Sequence, residues 1–268
     1  MKSNYIYNKK KDIISKRPIA PGGIFYELNA NTIELHGEVS YELEDLYYRD
    51  IDNTFSKAIE IFRKETNAES LFIEENKIAL SLFFVSIFWR IPATRHLINN
   101  LVQNADLTFT AKNEFLFLDL IENKNYKKDP SFLKLAKAAL LFETVYKVLD
   151  PPEETAYYKI TDFPEKTLLL GDYPMLYNKI PNSFNDLYYA DHILPVSATR
   201  VITRTTRELK PMSIESQISI NLAIINQSST YIASASLEFL TMMIEYYKGL
   251  KVLGKLNTEL EKVFDYMK

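Results

Sequence analysis

The chain contains no cysteine in 268 residues, which excludes disulfides, thiol nucleophiles, iron–sulfur clusters and cysteine-ligated zinc. Its three histidines, His36, His96 and His192, stand far apart and form no HExxH or comparable metal spacing. Glycine is scarce, at six residues, and with eleven prolines leaves no stretch suited to a long flexible linker. No Walker A loop, GxGxxG or GxSxG is present, so neither phosphate cradling by those loops nor α/β-hydrolase chemistry is indicated. The formal net charge of −3 supplies no global field toward nucleic acid or anionic lipid. The longest apolar run falls short of the roughly 18 residues of a membrane span. The opening MKSNYIYNKKKDIISKR has no apolar centre and does not read as a secretory signal. A cysteine-free chain with these features fits a reducing cytoplasm, the compartment expected here.

What is present is a core-forming composition, 47% hydrophobic and 25% charged. The segment IALSLFFVSIFWRIPATR carries no charge from Ile78 until Arg90, so a helix here is apolar all round and must be buried. Pro92 interrupts it and leaves Arg90 and Arg95 on either side of the break. Guanidinium groups at the end of a core need an anionic partner, either an internal carboxylate or a bound anion. His96 adjoins this break and is a candidate catalytic residue.

Residues 1–21 read as a basic arm, with Lys2, Lys9, Lys10, Lys11, Lys16 and Arg17 against Asp12, and residues 22–268 as one domain. GIFYEL and NTIELHGEV flank Asn29-Ala30-Asn31 as a hairpin. Helical pattern then runs from near Tyr41 through AIEIFRKE and through HLINNLVQ, and SFLKLAKAALLFETVYKVL is an amphipathic helix stopped by Asp150-Pro151-Pro152. EFLFLDLIE leans to helix. AYYKITDF, KTLLLGDYPML and ATRVITRTT, punctuated by Pro164, Pro174 and Pro195, predict short antiparallel strands. From Ser213 the pattern returns to helix through Ile218, Leu222, Ile225, Ile232 and Phe239, and a last amphipathic set follows Gly254. The expected fold is α+β: a mainly helical single domain with a small antiparallel sheet, from residues 22–39 and 157–206, around the buried helix 78–91.

LLLGDYPM places Asp172 at the end of an apolar strand, beside a glycine and ahead of a proline. Two roles are open to it: hydrogen-bonding the turn backbone, as aspartate often does, or serving as metal ligand, general base or partner of Arg90 and Arg95. The acidic run Glu42, Glu44, Asp45, Asp50 and Asp52 has enough carboxylates for a hard cation, but its spacing is that of a solvated face. Arg200, Arg204, Arg207 and Lys210 form a basic cluster, a weak nucleic-acid signal diluted by Glu208. No metal or cofactor is expected.

Taken in order, GGIFYEL, WRIPATR, LLLGDYPM, ILPVSATRVI and INLAIINQSSTYIASAS resemble the uncharacterised prokaryotic family called domain of unknown function 4238. The resemblance places Arg90, Pro92, Arg95, Asp172, Pro174, Pro195 and Ser197 at matching positions, and so adds Ser197 to Arg90, Arg95 and Asp172 as a ligand-binding candidate. The chain departs from the family pattern in lacking its N-terminal histidine, in having Gly171 where serine is usual, and in having Ile87 where glutamine is often found. The retained residues are pocket-forming and the missing ones proton-moving. The resemblance therefore implies a catalytically reduced bacterial protein that binds a protein partner or small anionic ligand, in a setting such as defence against mobile elements. The alternative is a hydrolase of a phosphate-containing or nucleic-acid substrate using Arg90, Arg95 and Asp172.

Overall fold

A computed structural model describes residues 4–18, 32–35, 38–41, 43, 49–64, 74–90, 100, 128–149, 157–179, 190–205 and 207–267. The fold is α+β, with six α-helices and three small antiparallel sheets among those residues. The chain clusters into two compact units. One comprises residues 1–26, 62–73 and 151–268, and the other residues 27–61 and 74–150.

The second unit is built on helices. Of α1 (Arg49–Lys64), residues 49–61 belong here, with α2 (Glu74–Arg90) and α3 (Pro130–Leu149). As expected, α2 is buried: Phe83, Phe84, Val85, Ser86, Phe88 and Trp89 all lie in the interior, on positions that circle the helix. Phe83 stacks edge-on to Phe84 and Phe88 to Trp89, with ring centroids 5.9 and 5.0 Å apart. α3 packs on α2, and its start is specified locally. Asp129 accepts from the amides of Ser131 and Phe132, and Pro130, with no amide to leave unpaired, follows it. Ser131 Oγ both accepts from the Glu34 amide and donates to the Glu34 carbonyl, which ties α3 to a hairpin of β3 (Ile33–Leu35) and β4 (Glu38–Ser40). Ile33 pairs with Ser40, so the two strands lie within residues 33–40, joined by two residues, whereas GIFYEL, the expected partner strand, lies outside the described residues. HLINNLVQ, beyond its Asn100, and EFLFLDLIE also lie outside them.

In the first unit a four-stranded sheet of order β5-β9-β8-β7 comprises Tyr157–Asp162, Arg200–Thr205, His192–Ser197 and Leu176–Tyr177. Two of these strands match the β-branched runs of the sequence. HILPVS, within the residues expected to supply the sheet, is β8, and it tolerates Pro195 where the pairing shifts register between Pro195 and Ser197. A second sheet, of order β2-β1-β10-β6, joins Ile13–Ile14, Tyr5–Asn8, Tyr231–Ser234 and Leu170–Gly171. Residues expected as a solvated basic arm therefore form a hairpin whose inner strand pairs along its whole length with β10. The lysines of this segment flank an apolar run, Tyr5, Ile6 and Tyr7, of which Ile6 and Tyr7 are buried.

The late segment expected as one helix is α4 (Ile214–Gln227), then β10, then α5 (Leu237–Val252). Ser228-Ser229-Thr230-Tyr231-Ile232 is poor helix material, and Ile232 is a buried strand residue rather than the next turn of α4. Ser213 and Ser236 cap the two helices, accepting from the amides of Ser216 and Phe239. A short α6 (Leu256–Glu261) and a 3₁₀ turn (Lys262–Met267) complete the unit, as the amphipathic pattern after Gly254 predicts. Ile220, Leu222, Ile224 and Ile225 of α4 form its core with Leu169, Ile193, Ile232, Leu240 and Tyr266.

Replacing Phe84 with alanine is expected to destabilise the protein by about 3–5 kcal/mol in urea unfolding. A loss below about 1 kcal/mol would place Phe84 outside a packed core.

Candidate functional site

The GDYPM segment, singled out by sequence, runs beside the C-terminal end of α4. A Cβ on Gly171 would lie 2.0 Å from Ser228 Oγ and 3.2 Å from Ile224 Cγ2, so only glycine permits the approach. Asp172 accepts four hydrogen bonds: from the amides of Ser229, Thr230 and Tyr231 at 2.8, 2.7 and 3.2 Å, and from Ser229 Oγ at 2.8 Å. Its own amide donates to the Tyr231 carbonyl. The carboxylate thus holds the loop that turns α4 into β10, rather than the backbone of its own turn. Ser197 organises the β8–β9 turn in the same manner, accepting from the Thr199 amide.

The other expected members are placed differently. Arg90 is the last residue of α2, with its side chain outside the described residues, and Pro92, Arg95 and His96 lie outside them altogether. So do Glu42, Glu44 and Asp45 of the acidic run. Among the described residues no three potential ligands gather in a way that would hold a metal. Of the basic cluster, Arg200 donates from Nε and Nη2 to both oxygens of Asp162, a bidentate cross-strand pair, and Arg204 is buried with Nη1 on the Ala190 carbonyl. These two arginines belong to the sheet and do not form an open cationic surface.

Register brings together residues that sequence left scattered. Tyr177, His192 and Arg204 pair directly across β7, β8 and β9, hence share one face. The Tyr177 and His192 rings meet edge-on at 5.7 Å. His192 Nδ1 is 3.2 Å from the Ala190 carbonyl; a carbonyl only accepts, so Nδ1 carries the proton and Nε2 the lone pair. Burial, with the adjacent charge of Arg204, lowers the His192 pKa to about 3 and keeps the ring neutral. Burial likewise pushes the Tyr177 phenol well above its ordinary value. These groups are held in nonionised form, suited to packing inside the sheet.

A second feature was not anticipated. Between α4 and α5 lies a cavity of about 380 Å³, lined by Ile214, Gln217, Ile218 and Asn221 of α4, Phe239, Met242, Met243 and Tyr246 of α5, and Thr167. No charged side chain lines it. Its mouth keeps large apolar groups in solvent: Ile214 is 74% exposed and Met242 54%. The polar side chains among the lining residues bond one another and the adjacent backbone. Asn221 accepts from the Leu169 amide and donates to the Thr167 and Gln217 carbonyls. Gln217 Nε2 donates to Thr167 Oγ1. Sequence periodicity assigns these helix positions to core packing. The available signal was that Ile214, Met242 and Tyr246 fall off the stripes that carry Ile220, Ile224, Met243 and Tyr247.

Two outcomes follow. Asp172→Ala should destabilise the protein by about 1–3 kcal/mol, since its loop amides lose a charged acceptor; an unchanged urea midpoint would remove the carboxylate from the fold. For His192 the folded pKa lies below the unfolded value of about 6.5, so between those two pH values the unfolded chain binds the extra proton. Stability therefore declines as pH falls from about 6.5 toward 3, by at most about 1.4 kcal/mol per unit from this residue. His192→Gln should flatten that slope in urea unfolding measured from pH 7 to 4, whereas an unaltered slope would assign the acid sensitivity to other groups.

No protein-family model matches the chain, and neither does any curated protein or solved structure, so the functional reading rests on its own residues.

Proposed function

We propose that the protein is a binding protein rather than a catalyst, and that the cavity between α4 and α5 is its ligand site. The observation that carries this reading is an uncharged concave space of about 380 Å³ with almost wholly apolar walls. That size falls within the roughly 300–1,000 Å³ typical of small-molecule sites, and the lining follows their usual pattern. Two methionines on one wall add side chains that adapt their shape to an occupant. The hydrolase alternative draws no support from Asp172, whose carboxylate is spent on four donors of the α4–β10 loop. The anionic-ligand reading finds no cation on this cavity's lining and would have to reside at Arg90 and Arg95. Among the described residues no helix is long and apolar enough to cross a membrane, so the exposed apolar mouth is not read as part of a span.

The test is fluorescence enhancement of the uncharged dye N-phenyl-1-naphthylamine on titration with protein. Saturable one-to-one binding is expected, weakened at least about tenfold by Ile218→Phe, which fills the space, and unaffected by Val252→Ser at an exposed apolar position outside the lining. Equal binding by wild type and Ile218→Phe would overturn the assignment.

A further inference from the structure

Resting on that reading, we infer that Met242 makes occupancy of the cavity sensitive to peroxide: oxidation of its thioether to the sulfoxide expels the occupant, and reduction restores the site. Two observations meet at this side chain. The first is access. Met242 is 54% exposed, whereas Met243, the next residue, is 2% exposed, and Met175 and Met267 are buried as deeply. Met212 is half-buried against the core and lies outside the cavity lining. Among the described methionines, Met242 is thus the one that dissolved oxidants reach freely and that also lines the site. A thioether reacts only where the oxidant can reach it.

The second is position. Met242 stands three residues after Phe239 and four before Tyr246, so it lies between them on one face of α5, and all three line the cavity. The wall they form is almost wholly apolar. A thioether suits such a wall, because it is flexible, polarisable and favourable against ring edges. A sulfoxide does not. Its oxygen is a strong acceptor that holds water, and an occupant pressed against it strips that water with almost no polar surface at hand to replace it.

The chemistry is a two-electron oxygen transfer. The sulfur lone pair attacks one peroxide oxygen, an S–O bond forms, and the O–O bond breaks. Sulfur is oxidised and the peroxide reduced, and the departing hydroxide takes the proton left on the transferred oxygen to become water. A dithiol reverses the change, returning the thioether and releasing water and a disulfide. Met242 is not part of the packed core, so the exchange leaves the rest of the unit in place.

The test treats the whole protein with hydrogen peroxide, removes the oxidant with catalase, and follows two readouts: peptide mass spectrometry for the added oxygen, and N-phenyl-1-naphthylamine fluorescence for binding. Met242 is expected to be oxidised before Met243, Met175 and Met267, with dye affinity falling at least about fivefold in step with it. Methionine sulfoxide reductases of both epimer specificities, supplied with a dithiol, should restore the affinity. Met212→Leu should lose affinity on peroxide treatment as wild type does. Met242→Leu, whatever its own affinity, should bind the dye equally before and after treatment. Full conversion of Met242 with no loss of affinity, or a loss that persists in Met242→Leu, overturns the switch and leaves the cavity standing. Oxidation of Met243 ahead of Met242 likewise overturns the switch. Dye binding indifferent to Ile218→Phe overturns the cavity assignment and the switch with it.

Discussion

The first unit depends on how the backbone from Thr167 to Met175 is satisfied. Only Leu170 and Gly171 of this segment lie in a strand, so most of its peptide groups find no ladder partner. α4 supplies what the sheet does not. Asn221 takes the Leu169 amide and answers the Thr167 carbonyl, while Gln227 donates to the carbonyls of Tyr173 and Met175. Buried peptide groups without partners cost free energy comparable to a lost hydrogen bond each, so these amide side chains decide where the segment can lie. Asp172 and Gly171 complete the arrangement at the helix end, one by accepting from the loop and the other by having no side chain to obstruct Ser228.

The same arrangement makes the cavity. Asn221 and Gln217 are turned toward Thr167, so the side of α4 that meets α5 near its start is left to Ile214 and Ile218. α5 answers with Phe239, Met242, Met243 and Tyr246 rather than with polar groups. The space is therefore a by-product of using a helix face to hold an irregular strand, and its uncharged character follows from the same choice. Lys9 closes the other end of α4. Its ammonium donates to the carbonyls of Ile225, Asn226 and Ser228, which the helix itself leaves without amide partners. Its burial beside Tyr247 and near Lys251 lowers its pKa.

Much of this architecture can be read from residue patterns and some cannot, for physical reasons. The buried α2 and the capped α3 are legible because a continuous apolar run and a Pro at a helix start act locally. Strands β5 and β9 are legible from their β-branched alternation. The break between α4 and β10 is less so, since Ile232 and Phe239 continue a helical spacing by coincidence and only the Ser-Ser-Thr composition argues against it. The N-terminal strand was hidden because lysines dominate the reading of residues 1–17, whereas pairing with β10 depends on residues more than two hundred positions away. For the site, Asp172 was recognisable as a residue with a task, but its four donors come from a loop that only the fold brings near. The row of Tyr177, His192 and Arg204 depends on strand register, and the cavity depends on which helix faces meet. Neither property is local.

The pairing of β1 with β10 carries a consequence for how the chain is made. Residues 5–8 emerge from the ribosome more than two hundred residues ahead of the strand they join, residues 231–234. Until then the β1–β2 hairpin has a bare edge, too small to persist alone in water. Closing that edge also brings Lys9 to the end of α4, so strand pairing and helix capping are completed together. The final assembly of this unit is thus a non-local step, slow by nature and open to capture by any competing strand in the interval.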